Sequence, residues 1–227
     1  MIDSVRSTVL SAVNKNNFGY ITPDDFNLFA KQAQIDIFED YFYQYNTWIN
    51  KMNNRQSGTG YADMIRLAEE VIDSFSSTST LAYASSKFTL PSDYYYVNTI
   101  RYGSKEIDRL SHDKVLNLLA SNLTSPSKLY PAYTQEGDNI TVYPDTITDN
   151  VKSQYIRIPK DPKWTYIMVN GAPIFNQNND YQDFEIPGFD EVSLVSKILE
   201  YAGISIRESD LYSFGATQEA NNKQIEG

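Results

Sequence analysis

Apolar positions recur at helical spacing from the start of the chain. Ile2, Val5, Val9 and Val13 fall three or four residues apart, which predicts a short amphipathic helix over residues 3–15. Asn16-Asn17-Phe18-Gly19 breaks it. Thr22-Pro23-Asp24-Asp25 then reads as a helix start: Thr22 can cap, Pro23 suits the first helical position, and the carboxylates favour the positive end of the helix dipole. The long helix that follows, as far as Asn53, carries two apolar stripes. One is Leu28, Ile35, Phe38, Phe42, Tyr45 and Ile49, and the other is Phe26, Ala30, Ala33, Ile37, Tyr41 and Trp48. A surface helix of a monomer shows one stripe. Two stripes predict burial on both sides, either by the protomer's own core and a neighbouring subunit, or as a central helix inside one domain. A third helix runs from Tyr61 to about Ser74, with Ile65, Ala68 and Ile72 on its apolar face, and Ser76–Thr80 reads as a polar connector.

The middle of the chain changes period. Val97–Tyr102 reads as a strand, Glu106-Ile107 as a short return, and residues 111–121 as a short helix with Val115, Leu118 and Leu119 inward and Ser111 as its cap. Residues 130–135 and 139–143 flank Glu136-Gly137-Asp138, which predicts a hairpin. Strands are predicted at 151–158 and 164–169, and an extended loop over 170–188. Val192, Val195, Leu199, Ala202 and Ile206 restore the helical spacing, and a weaker helix over 209–223 is anchored by Leu211 and Phe214. The expected fold class is α+β. Residues 1–80 and 185–227 form a bundle of N- and C-terminal helices, and residues 81–184 form a β-rich insertion with one short helix.

Composition narrows the function. The chain has 227 residues, enough to bury a core without staples. Its 18 tyrosines and 14% aromatic content favour half-buried surfaces and interfaces. With no cysteine and one histidine, there is no disulfide scaffold, no Cys nucleophile and no histidine-cluster metal site. A formal charge of −10 argues against general duplex binding, which needs clustered Lys and Arg. There is no run of 18 apolar residues to span a membrane and no signal-peptide pattern, so a cytoplasmic origin is expected.

Candidate chemistry is sparse. Asp24-Asp25, Glu39-Asp40, Glu69-Glu70 and Asp190-Glu191 sit on predicted helices, where adjacent side chains point about 100° apart and do not converge. Asn176–Asp183 resembles the start of a calcium loop, but loop positions six and twelve hold Tyr181 and Pro187 instead of Gly and Glu. His112 has no Ser or Asp partner at a telling spacing, and no phosphate-binding glycine loop is present. No catalytic, cofactor or metal residue is expected, and the reading is a structural subunit, not an enzyme.

The order of features from Leu90 to Gly215 carries a resemblance. Leu90-Pro91-Ser92-Asp93-Tyr94 precedes a strand with Ile100. Then come Tyr133 through Gly137 to Ile140-Thr141-Val142-Tyr143-Pro144, and Tyr155-Ile156-Arg157-Ile158-Pro159-Lys160. Phe184-Glu185-Ile186-Pro187 leads into a Val/Leu helix with Tyr201-Ala202. This order resembles the head–tail adaptor, or neck ring, proteins of short-tailed phages, and is most similar to those of crAss-like phages. The resemblance implies a homo-oligomeric ring, twelve copies by analogy with the portal. It also implies contacts with the portal and adjacent neck or tail rings, and a channel through which DNA passes without specific binding. The expected location is the virion neck, after assembly in the bacterial cytoplasm. A ring needs two different faces on each subunit, and Tyr41, Tyr45, Trp48, Tyr143, Leu211, Tyr212 and Phe214 are the candidate interface residues. The rival readings are a carbohydrate- or receptor-binding module and a hydrolase with separated carboxylates.

Overall fold

A computed structural model describes residues 1–15, 21–53, 61–121 and 123–206. The elements in chain order begin with α1 (Ile2–Lys15), α2 (Pro23–Asn53) and α3 (Tyr61–Ser74). Strands β1 (Ser76–Thr80), β2 (Ala82–Ala84), β3 (Lys87–Thr89), β4 (Tyr94–Tyr102), β5 (Lys105–Glu106) and β6 (Asp108–Arg109) lead to α4 (His112–Leu119). Then come β7 (Ala132–Glu136), β8 (Asn139–Tyr143), β9 (Val151–Arg157), β10 (Tyr166–Val169) and β11 (Ala172–Phe175). A 3-10 turn at Gly188–Asp190 opens α5 (Glu191–Ile206). The chain divides into two units, one of Met1–Val71 with Pro159–Gly227 and the other of Ile72–Ile158.

In the first unit the helix starts follow local chemistry. Thr22 Oγ1 accepts the Asp25 N–H at 3.1 Å and donates to Asp25 Oδ2 at 2.6 Å, so the α2 cap closes on itself. The apolar face of α1, Ile2, Val5, Val9 and Val13, is fully buried. On α2 the stripe of Phe26, Ala30, Ala33, Ile37 and Tyr41 is buried together with Phe38, whereas Leu28 of the other stripe is exposed. Leu194, Ile198, Leu199 and Ala202 of α5 complete the core, with α5 packing on both α1 and α2. Ala68 of α3 is covered by Tyr45 and Ile49. Gln34, deep in α2, donates to the Lys160 carbonyl at 2.8 Å and accepts the Glu185 N–H at 3.0 Å, so this buried amide is paired with irregular backbone on both sides.

The expected bundle of terminal helices is overturned. The protein is mixed α/β, with five helices and eleven strands in three sheets among the described residues, and its helices are not arranged as a bundle from the termini. Beside α5, non-helical chain bridges α1 and α2. Trp164, ahead of β10, donates its indole N–H to Asp3 of α1 at 2.9 Å, and its backbone N–H to Asn27 Oδ1 of α2 at 2.8 Å. Strands β10 and β11 form a separate two-stranded sheet in this unit: β10 lies within the strand expected at 164–169, whereas β11 replaces part of the loop expected over 170–188.

In the second unit a four-stranded sheet has the order β1-β9-β4-β5, and a five-stranded sheet has the order β2-β3-β8-β7-β6. All pairs are antiparallel except β6 with β7. One core serves both: Val97, Ile100 and Val151 from the first sheet cluster with Phe88, Tyr133, Ile140 and Val142 from the second. The β7–β8 turn places Gly137 at φ +58, where a side chain would be strained. Ser76–Thr80, read as a connector, is a strand because β9 supplies its hydrogen-bond partners along the whole length, from Ser76↔Ile156 to Thr80↔Lys152. Only Val115 anchors α4 fully; Leu119, expected inward, is exposed. Ser111 sits at the N-cap with extended backbone but makes no side-chain cap bond.

Candidate functional site

Members of the acidic pairs are engaged separately, by different partners. Asp25 serves the Thr22 cap. Asp40 lies 3.5 Å from Lys197 Nζ, Glu69 accepts from the Tyr45 hydroxyl at 3.1 Å, and Glu70 pairs with Arg66 at 3.1 Å. Glu191 accepts from Ser4 Oγ at 2.8 Å. Asp190 accepts the Tyr41 hydroxyl at 2.5 Å; burial pushes its carboxyl above the ordinary range and the phenol partly offsets this. A second tyrosine–carboxylate pair, Tyr201 with Asp36, lies in the same unit, and burial followed by the Asp36 hydrogen bond raises the Tyr201 phenol.

Several oxygen-bearing side chains of the segment 176–183 are taken by protein partners. Asn176 Nδ2 donates to Asn178 Oδ1 at 3.0 Å, and Asp180 pairs with Lys163 at 3.2 Å. Asp183 receives the Ile2 N–H at 2.8 Å, the Phe184 N–H at 2.9 Å and the N-terminal ammonium at 3.1 Å. Among the described residues no group of three or more His, Cys, Asp or Glu is placed to hold a metal ion. No described helix is long and apolar enough to cross a membrane.

Two of the clefts among the described residues lie in the second unit. One, of ≈ 350 Å³, is lined by Arg109, His112, Thr134 and Glu136 among others. Glu136 in it is taken by Lys87 at 2.6 Å, and that ammonium holds its carboxyl below the usual range. The other, of ≈ 430 Å³, is lined by Tyr83, Lys87, Tyr143 and Asp145 among others.

The predicted interface residues scatter. Tyr41 is 7% exposed and spends its hydroxyl on Asp190 inside its own unit. Tyr45 is half-buried over Ala68. Tyr143 is half-buried on the second cleft. The side chain of Trp48 lies outside the described residues, as do Leu211, Tyr212 and Phe214.

Exposed apolar surface is found elsewhere, at positions that periodicity did not single out. On β10–β11, Met168 is 62% exposed and Ile174 is 48%, with Ile167 and Val169 also exposed. Around α4, Leu116, Leu123, Leu129 and Tyr130 are exposed, Leu123 at 95%. The signal available in the sequence was the lack of charge: no ionisable Asp, Glu, Lys, Arg or His occurs over residues 164–179 or over 117–127. No protein-family model matches the chain, and no curated protein matches it.

Proposed function

We propose that this chain is a structural subunit of a phage neck, forming a homo-oligomeric ring between the portal and the tail. In this reading the ring surrounds the path of the DNA without binding it specifically. The proposal starts from the order of motifs between Leu90 and Gly215 and from the acidic, tyrosine-rich composition. The observation that carries it is that two unlike clusters of exposed apolar side chains stand on one chain of formal charge −10: Ile167, Met168, Val169 and Ile174 on β10–β11, and Leu116, Leu119, Leu123 and Leu129 around α4. Head-to-tail closure requires two different faces per subunit, and exposed apolar clusters mark contact sites. A surplus of carboxylates suits a channel through which a polyanion slides, because like charge opposes adhesion.

Negative-stain microscopy of the purified protein, alone and with the cognate portal, tests the reading. Closed rings, or a new layer on the portal, are expected. A monomer that leaves the portal unchanged and is retained on a glycan array overturns it in favour of a carbohydrate-binding module.

A further inference from the structure

We propose that two copies of this chain pair in solution through the open edge of β1, each adding its β1 as a further strand to the other's four-stranded sheet across a two-fold axis. The contact uses neither the apolar cluster on β10–β11 nor the one around α4. It therefore goes beyond the ring reading and stands or falls without it.

The β1–β9 ladder fixes which backbone groups are left over. The Arg157 N–H donates to the Phe75 carbonyl at 3.0 Å just before the strand, and the Leu81 N–H donates to the Val151 carbonyl at 2.9 Å just after it. Both bonds keep the register that runs from Ser76↔Ile156 to Thr80↔Lys152. Antiparallel pairs alternate between bonded and non-bonded. Ser77 and Ser79 therefore bond to β9, while Ser76, Thr78 and Thr80 turn their N–H and C=O groups outward. Strand β1 ends the sheet order, and among the described residues these outward groups have no backbone partner. The Thr80 carbonyl receives only the Ser79 hydroxyl, at 3.4 Å.

This edge is also unguarded. Proteins blunt exposed edges with proline, charge, bulges or very short strands. The other edges of the two larger sheets follow that rule: β5 and β6 have two residues each and β2 has three. Strand β1 has five residues in unbroken register, with no proline and no charge. Its outward positions include the β-branched Thr78 and Thr80, which suit a strand. An open ladder of this kind is a template for strand addition.

Register, closure and charge select a second copy as the added strand. Outward residues must meet outward residues, and an antiparallel β1 centred on Thr78 achieves this along its whole length. Ser76 then faces Thr80 of the second copy, Thr78 faces Thr78, and each such pair exchanges two backbone bonds. The two-fold closes both edges at once, so pairing stops at two. No Asp, Glu, Lys, Arg or His occurs over residues 74–86. The charges beside the strand, Lys152 next to Thr80 and Arg157 next to Phe75, lie on β9, one strand in from the edge. Lys152 of one copy and Arg157 of the other share an end of the junction but stand three strand spacings apart, ~14 Å. That exceeds the Debye length of ~8 Å at physiological salt. The two-fold also sends the exposed Asp73, just ahead of β1, to the end that holds Lys152 of the second copy, so the flanks are complementary.

Sedimentation of the purified chain should show a species of twice the 25.9 kDa chain mass. Thr78→Pro removes an outward N–H at the centre of the two-fold and no bond to β9. It should keep the far-UV spectrum and weaken pairing by about tenfold or more, since each copy loses a backbone bond. Thiols introduced into this cysteine-free chain read the register independently. Ser76→Cys protein mixed with Thr80→Cys protein should give the mixed product with a short bis-maleimide, because these positions face each other. Either variant alone should link little, its two thiols being ~14 Å apart along the strands. Where the proline disturbs the fold, this cross-link decides. A single copy at every concentration overturns the proposal. So does Thr78→Pro protein that pairs as well as the wild type, or self-linking that matches the mixed link. A chain that sediments singly but takes up an added extended Thr/Val peptide, unless residue 78 is changed to proline, assigns the edge to another protein's strand and likewise overturns the pairing of copies.

Discussion

The indole N–H of Trp164 reaches Asp3 Oδ1 at 2.9 Å, while the Arg6 guanidinium lies 3.7 Å from the centre of the same ring. One side chain from a non-helical stretch is thereby fixed by two residues about one turn apart on the same face of α1, and its backbone is fixed to Asn27 of α2. Trp164 also begins the aromatic stack beneath β10–β11, so this hairpin and the helical core share an anchor.

Trp164→Ala should therefore cost about 3–5 kcal/mol, the range for removing a buried aromatic. Trp164→Phe keeps most of the packing and loses the Asp3 bond, and should cost about 1–2 kcal/mol. Urea unfolding followed by far-UV circular dichroism measures both, and equal losses in the two variants would show that the hydrogen bond, not the packing, dominates.

Asp183 makes the first unit sensitive to acid. Burial alone would raise its carboxyl, but the Ile2 N–H, the N-terminal ammonium and the Phe184 N–H together hold it below the ordinary aspartate range. Its pKa is thus lower folded than unfolded. The stabilisation is complete above about pH 4, the unfolded value, and is lost as pH falls through the folded value. Asp183→Asn should lower Tm near neutrality, with the gap to the wild type closing as pH falls towards about 3. A gap that stays constant with pH would remove the carboxylate from the account.

Asp190 should show the opposite sign. Burial raises its pKa in the folded state above the unfolded value, with the Tyr41 bond working against the rise. The contribution is then present below about pH 4 and is lost as pH rises through the folded value. Asp190→Asn keeps an acceptor for Tyr41 without the charge, and its Tm relative to the wild type should improve from acid to neutral pH. A differential scanning series across pH tests this.

The Ser153 hydroxyl is buried in β9 and has no hydrogen-bond partner among the described residues; the same holds for the Thr134 hydroxyl in β7. Ser153→Ala and Thr134→Val remove an unsatisfied group while conserving most of the volume, and each should leave stability unchanged or raise it by about 1 kcal/mol. A loss of more than that in denaturant titration would point to a partner for the hydroxyl.

Removing the α2 cap should be costly by comparison. Thr22→Ala takes away the acceptor for the Asp25 N–H and should cost about 1 kcal/mol, whereas Thr22→Ser should cost little. Urea midpoints of the pair separate the loss of the cap from the loss of the threonine methyl.

Helices α1, α2, α3 and α5 were legible because a 3.6-residue apolar period and a capping sequence are local properties. The β7–β8 hairpin was legible for the same reason, through alternation on either side of Gly137. Strand β1 was not, since Ser76–Thr80 has no apolar alternation and becomes a strand through its ladder with β9, some eighty residues away. The β2–β3 hairpin, three residues per strand, was hidden as well, and so was β11, which holds a proline and keeps Ile174 in solvent, although its partner β10 lies within the strand expected at 164–169.

The candidate surfaces divide in the same way. Aromatic periodicity selects Tyr41 and Tyr45, but periodicity marks what is buried, and these side chains pair within the first unit, with Asp190 and Glu69. The sequence by itself determined the helical segments, the acidic balance and the absence of thiol chemistry, because each depends only on the identity and near spacing of residues. Only the tertiary structure decided that the terminal helices do not make a bundle, that Trp164 joins α1 to α2, and that Ile167, Met168 and Ile174 stay in solvent. Those outcomes depend on which distant segments satisfy each other's hydrogen bonds and cover each other's apolar area, and that competition is settled across the whole chain at once.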